Sequence, residues 1–161
     1  MRAPREGRRV LAVDFGDRRT GVAASAGAGG LVFPVAILDS RDRRRLLAEI
    51  GAIAAEREAE LVLVGLPLAP DGGLGARGAK TLAFARELAR ALDPIPVFGI
   101  DERHSTTEAH ERLKRSGMKA AARKRKGVDA VAAQVLLEAW MRGEREIPLE
   151  RFFGDRTSRG E

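Results

Sequence analysis

Three acidic positions stand where apolar runs are punctuated. Asp14 closes Leu11-Ala12-Val13, Asp101 and Glu102 follow Ile100, and Asp129 lies between Val128 and Ala130-Val131. One carboxylate at the end of a buried segment is ordinary turn chemistry. Carboxylates at the ends of separate segments can converge, and hard oxygen ligands from different elements suit magnesium, which keeps several of its waters. Two such ions about 3.5–4 Å apart activate a water and stabilise the leaving oxygen in phosphodiester hydrolysis. No side-chain nucleophile is then needed. The chain has no Cys and no Tyr, and its serines stand in no recognisable triad.

Each acid also has a plainer reading. Asp14, beside Gly16, could form a turn in a strand connection. Asp101 could end a strand in solvent, and Asp129 could sit at a helix N-terminus because the macrodipole favours it there. Asp101 and Glu102 are adjacent, so in a strand they point to opposite faces. The residues leave open which of the two turns toward Asp14. His104 and His110 are six residues apart, a spacing that suggests no metal pair.

Positive charge gathers near these acids. From Arg115 to Lys126 there are six cations and no acid: Arg115, Lys119, Arg123, Lys124, Arg125 and Lys126. Their sum equals the net charge of the chain, +6. Just ahead of Asp129 they could hold phosphates without reading base sequence. Arg18 and Arg19 could do the same from the other side. Taken alone, the run is also consistent with a solvated loop or helix face.

These side chains need a scaffold, and the length of 161 residues suffices for one domain with a real core. Aromatics make up only 4%, so Val, Leu, Ile and Ala must fill it. Without cysteine, disulfides, thiolate zinc sites and cysteine nucleophiles are excluded. No apolar run approaches the ~20 residues of a membrane helix, and the start lacks the apolar stretch of a signal peptide. A cytoplasmic protein without a membrane partner is expected.

Along the chain, Arg9–Asp14, Thr20–Ser25 and Leu31–Leu38 read as strands, joined by connections short enough for an antiparallel meander. Pro34 suits an edge or a strand end. Ser40 offers an N-cap for a helix that aligns Leu46, Leu47, Ile50, Ile53 and Ala54. Glu60–Leu66 is a fourth strand, buried on both sides. Pro67–Gly78 is a loop with four glycines and two prolines. The helix aligning Leu82, Ala85, Leu88, Ala89 and Leu92 stops at Asp93-Pro94. Ile95–Ile100 is the fifth strand. Ser105-Thr106-Thr107-Glu108 is a capping box, starting a helix that ends near Gly117. Val128, Val131, Ala132, Val135, Leu136, Ala139 and Trp140 mark the last helix. The expected fold is α/β: three antiparallel strands, then alternating helix and strand, in a five-stranded mixed sheet flanked by helices. One domain over residues 8–154 is expected, with polar, flexible tails at 1–7 and 155–161.

Four ordered blocks resemble a known family. They are Asp14-Phe15-Gly16-Asp17-Arg18-Arg19-Thr20-Gly21-Val22-Ala23, Val64-Gly65-Leu66-Pro67, Asp101-Glu102-Arg103-His104-Ser105-Thr106-Thr107 and Lys126-Gly127-Val128-Asp129-Ala130-Val131-Ala132-Ala133. This is similar to the bacterial YqgF family, also called RuvX, of the RNase H-like superfamily, over about Arg8–Arg142. The resemblance implies an RNase H-like fold and a nuclease dependent on magnesium or manganese, with two ions. The family is described as maturing the 5′ end of pre-16S ribosomal RNA and as resolving Holliday junctions. By motif, Asp14, Glu102 and Asp129 would bind the metals, with Asp101 as the neighbouring alternative. Arg19 and Arg103 would occupy the basic positions of their blocks. Many RNase H-like nucleases carry an acid at the fourth strand, but this one ends in Gly65-Leu66-Pro67, so the acid must come from Glu102 or Asp101. The loop from Leu68 to Gly78 and the residue at Gly127 also depart from the expected pattern.

The substrate expected is then an RNA precursor, bare or on ribosomal particles, or branched DNA, and a resolvase would require a two-fold dimer where an RNA nuclease could be a monomer. Two other classes compete. Sugar kinases and actin-like ATPases share the strand-Asp-x-Gly hairpin but clasp ATP between two such domains, and this chain has length for one. A non-catalytic RNA-binding module, acting in ribosome assembly or transcription, would bind without needing Asp14.

Overall fold

Short connections force antiparallel neighbours, and this sets one half of the sheet. The computed structural model describes residues 5–27, 30–103, 105–117 and 128–156. Strands β1 (Val10–Asp14), β2 (Arg19–Ser25) and β3 (Val32–Asp39) form the meander, with Asp14 opposite Gly21 and Arg19 opposite Asp39. Helix α1 (Arg43–Glu56) returns the chain so that β4 (Leu61–Leu66) pairs with β1 in parallel. Helix α2 (Ala76–Leu92) does the same for β5 (Val97–Asp101) against β4. The order is β3-β2-β1-β4-β5, the mixed five-stranded sheet expected. Pro34 falls on the outer strand β3, where its missing N–H is harmless, and a bulge lies between Val22 and Ala23 opposite it.

Side-chain parity divides the core in two. Leu11 and Val13 of β1 and Val62 and Val64 of β4 face α1 and α2, packing against Leu46, Ile50, Leu82, Phe84 and Leu88. Val10, Ala12, Leu61, Leu63 and Ile100 face the other way, onto Leu136, Leu137 and Trp140 of α4 (Val128–Met141). Helix α3 (Ser105–Arg115) lies outside α4, fastened by Arg112, whose guanidinium reaches Glu138 at 2.6 Å and Glu108 at 2.8 Å. Covered by the sheet on one side and α3 on the other, α4 is apolar around most of its circumference.

The start of α1 differs from expectation. Its N-cap is Asp42, whose carboxylate accepts from the Arg45 N–H at 3.1 Å. Ser40 belongs to the end of the sheet instead, its N–H donating to the Arg18 carbonyl at 2.9 Å. Its hydroxyl is buried and shares a 2.7 Å hydrogen bond with Thr20. The loop between β4 and α2 is a small hairpin: Leu68 bridges Leu74, and Asp71 accepts from the Gly73 N–H at 2.9 Å. Gly72 supplies the positive φ of 85° its tip requires.

The described residues that flank the sheet in sequence pack back onto it. Arg5, in a 3-10 turn at Arg5–Gly7, donates to the Trp140 carbonyl and lies 4.7 Å from its ring centroid. A second 3-10 segment spans Leu149–Arg156. Ile147 exchanges two backbone hydrogen bonds with Gly99, 2.8 and 2.7 Å long, on the outer side of β5. Among the described residues, no helix is long and apolar enough to cross a membrane.

Trp140 joins these parts: it is wholly buried, its indole N–H donates to Glu146 at 2.9 Å, and Arg5 covers it. Trp140→Ala is expected to cost about 3–5 kcal/mol, read as a lower midpoint in urea unfolding. A loss under about 1 kcal/mol would mean that α4 does not depend on this anchor.

Candidate active site

In this sheet the carboxyl ends of β1, β4 and β5 share one edge, the side on which open α/β sheets bind ligands. Asp14 ends β1. Glu102 follows β5, and its N–H donates to the Leu66 carbonyl at 3.2 Å, extending the ladder by one residue. Parity places both on the α4 face: Asp14 alternates with Ala12 and Val10, and Glu102 with Ile100. Between their strands, Gly65 occupies the same face of β4 as Leu61 and Leu63.

Gly65 explains how the acids meet. A Cβ there would lie 2.7 Å from Glu102 Oε2 and 2.7 Å from Leu136 Cδ1. The space a fourth-strand side chain would take is occupied by the Glu102 carboxyl. Asp14 is 7% exposed and Glu102 8%, and the two carboxyls are hydrogen-bonded to each other. Burial, the Asp14 charge and that hydrogen bond push Glu102 up to about 9, with Asp101 adding to the rise and Arg77 opposing it. At neutral pH the pair therefore holds a proton on Glu102. Like carboxylates this close cannot both ionise without nearby positive charge.

The choice between Asp101 and Glu102 follows the alternation. Asp101 is taken up by Arg103, with Nη2–Oδ2 at 2.6 Å and Nε–Oδ2 at 2.8 Å. Arg103 is thus engaged with Asp101 and near the Pro70 carbonyl rather than turned toward the acid pair. Asp129 stands in the first turn of α4. The far end of that helix lies by the strand starts, where Trp140 sits beside Leu61 and Pro96, so its first turn lies toward the edge carrying Asp14 and Glu102. Asp129 precedes Leu136, the residue against Gly65, by seven positions on one helical stripe, about 10 Å along the axis. Its side chain lies outside the described ones. Among the described residues Asp14 and Glu102 are the buried acids, and no group of three metal-binding side chains is present.

Of the expected phosphate contacts, Arg18 and Arg19 are exposed and line a groove with Ile37, Leu38 and Arg41 at the end of β2 and β3. Arg41, not singled out by sequence, is held by Asp39 at 2.6 Å. Arg123, Lys124, Arg125, Lys126 and His104 lie outside the described residues. Two features were not anticipated. Gly65 carried a signal, since a glycine within a buried strand often marks a close approach. Arg77, whose charge reaches Glu102 from the first turn of α2, looked like any surface arginine.

The sheet order and the helices packed on its two faces define the class, an RNase H-like fold. The fold is shared with Thermus thermophilus RuvC solved with a Holliday junction substrate (TM-score 0.53, 14% identity, covering 87% of this chain and 99% of that one). It is also shared with the fowlpox virus resolvase bound to a Holliday junction (TM-score 0.51, 12% identity, 83% and 97%). Within that class the chain belongs to the RuvX family, whose sequence profile, described as Holliday junction resolvase, matches residues 8–143. A Synechococcus elongatus relative, named as a candidate pre-16S rRNA nuclease, is 38% identical over 85% of this chain and 91% of its own length. Relatives with the same name from Streptomyces coelicolor (40%; 88% and 83%) and an Anaeromyxobacter species (42%; 84% and 97%) match as broadly.

The protonated Glu102 has a consequence for stability. Below its ordinary value of 4.5 the residue holds its proton folded and unfolded alike; from there to about 9 only the folded protein keeps it. Stability must fall across that window, by up to about 1.4 kcal/mol per pH unit. In EDTA, Glu102→Gln is expected to show a shallower decline than wild type between these limits, measured by denaturant unfolding at a series of pH values. Identical slopes would show that Glu102 is not the proton holder.

Proposed function

We propose that Asp14, Glu102 and Asp129 form the metal-binding and catalytic set of a nuclease that processes the 5′ end of pre-16S ribosomal RNA in the cytoplasm. The observation that carries this reading is the buried Asp14–Glu102 pair on the carboxyl edge of the sheet. The names of its relatives point to the RNA substrate.

The donor set fits a divalent cation. Two hard oxygen donors are buried together under conditions that keep one protonated, a frustration that positive charge relieves. Bound there, magnesium or manganese, as two ions, would supply Lewis acidity toward water and phosphate. The residues do the rest. Strand ends fix Asp14 and Glu102 in direction, and Gly65 leaves the Glu102 carboxyl its room. Uptake of a cation there would favour the ionised form of Glu102, so binding and proton release would be linked. Arg18 and Arg19, with Arg123, Lys124, Arg125 and Lys126 ahead of α4, hold the phosphate backbone. Arg103 could join them only by leaving Asp101. Asp101 stays outside the metal set because its carboxylate already answers Arg103.

A second reading, resolution of branched DNA, draws on the family's description as Holliday junction resolvase. One experiment covers both: cleavage of an end-labelled pre-16S leader RNA, a four-way DNA junction and single strands, with magnesium or manganese, by wild type and Asp14→Asn. Cutting of the leader that vanishes in Asp14→Asn is expected. Preference for the junction, together with a two-fold dimer on it, would favour the second reading. Retained cutting in Asp14→Asn would remove Asp14 from the mechanism. A precursor that is cut only within a ribosomal particle would add that particle as a partner.

Gly65→Ala tests the positioning separately. The added methyl meets the ends of two flexible side chains, Glu102 Oε2 and Leu136 Cδ1, each at 2.7 Å, and Glu102 Cβ at 3.2 Å, so both side chains must shift; the fold should survive while the carboxyl is displaced. A misplacement of about 1 Å costs on the order of 100-fold in rate. Turnover is expected to drop by that order with an unchanged circular dichroism spectrum. Wild-type turnover would show that the Glu102 position is not critical.

A further inference from the structure

A groove of about 290 Å³ opens beside the residues that follow Asp14. It is lined by Phe15, Gly16, Asp17, Arg77, Lys80 and Thr81. The sequence blocks single out none of its α2 residues. Its floor is fixed. Phe15 stacks on Phe84 with ring centroids 4.3 Å apart, and Thr81 is buried with its hydroxyl donating to the Arg77 carbonyl at 3.1 Å. The turn beside it is tight, since a Cβ on Gly16 would come within 2.6 Å of the Arg19 carbonyl oxygen. The start of α2 is equally fixed: Gly78 is buried, and a Cβ there would meet Leu74 Cδ2 at 2.9 Å and the Pro67 carbonyl oxygen at 3.1 Å. Arg77 and Lys80 therefore project from a rigid turn.

The charge balance of the groove favours an anion. Lys80 lies 3.3 Å from Asp17, and both side chains are largely exposed. Such a pair is worth little in water and yields readily to a stronger anion. It also offsets the one carboxylate in the lining. Arg77 is exposed and its charge is felt at Glu102, so the groove and the acid pair are electrostatic neighbours.

We propose that this groove carries the sugar-phosphate backbone of the nucleic-acid strand leading to the acid pair, with Arg77 contacting the phosphate nearer the pair and Lys80 the next one out. The assignment rests on the nuclease reading above and extends it, for it places a second phosphate track on the side of Asp14 away from Arg18 and Arg19. The strand then crosses the β1–β2 turn between two sets of cations. Phosphate contacts of this kind position the strand without reading its sequence.

The test is binding of a fluorescein-labelled single-stranded RNA by anisotropy over a salt series in EDTA, where no cutting intervenes. Wild type, Arg77→Ala/Lys80→Ala, Arg77→Lys/Lys80→Arg and Arg90→Ala are compared, the last removing an exposed charge from the far end of α2. The double alanine variant is expected to bind on the order of tenfold more weakly, with a salt slope shallower by about one to two. The charge-keeping variant should restore both, and Arg90→Ala should match wild type. Thermal melting confirms the fold of each. A double alanine variant with wild-type affinity and slope overturns the groove assignment. So does an equal loss in Arg90→Ala, which would mean net charge alone. Cleavage by wild type and Asp14→Asn is scored in parallel with magnesium. If neither cuts but the groove variants lose affinity as described, the nuclease reading fails while the phosphate track stands. If wild type binds no RNA at any salt concentration, the track is overturned.

Discussion

Two carboxyl groups buried side by side cannot both be charged, and much of the carboxyl edge is arranged around that constraint. Asp14 and Glu102 come from strands that are not neighbours, so β4 must pass between them without filling the space. Gly65 meets that requirement, and Leu136 closes the space from above. A proton on Glu102 resolves the conflict in the absence of cations. The free energy held in this arrangement becomes available to any ligand that brings positive charge. An ordinary solvated acid cluster would not have that property, because water would already stabilise both charges.

The constraint also governs which acids can take part. Alternation along β5 sends Asp101 and Glu102 to opposite faces, and each finds a different answer: a guanidinium for Asp101, a second carboxyl for Glu102. The cations sort themselves by the same geometry. Arg103 and Arg41 are held by acids two residues away, whereas Arg18, Arg77 and Lys80 stand at the rim. Positive charge therefore stands at the rim of the pair without neutralising it.

Much of this was legible in the sequence, and the exceptions have physical causes. Short apolar strands, the meander implied by short connections and the acid at the end of β1 depend on local pattern, and local pattern is what a sequence displays. Alternation alone reduced Asp101 and Glu102 to one choice, but making that choice needed the register of β5 against β4. Ser40 looked like a helix cap because its chemistry is right. Asp42 takes the role because β3 continues to Asp39 and its partner strand still holds Ser40. Gly65 read as a missing acid, and only its neighbours across the sheet show that the gap is filled from β5. Arg77 carried no local signal, since its relation to Glu102 depends on how the start of α2 seats against Pro67 through Gly78.

The two borders of the sheet are treated differently, and together they decide whether the protein can polymerise. On β5 the outward N–H and carbonyl of Gly99 are engaged by Ile147 through a reciprocal pair of bonds. On β3 a proline interrupts the row of donors, and the bulge opposite it increases the local twist. An incoming strand finds a blocked partner on one border and an irregular one on the other. Strand-by-strand growth, the usual hazard of an open sheet, is thus suppressed at both ends. A basic protein that collects along a polyanion reaches high local concentrations there, and these borders let its copies crowd together without fusing into a continuous sheet.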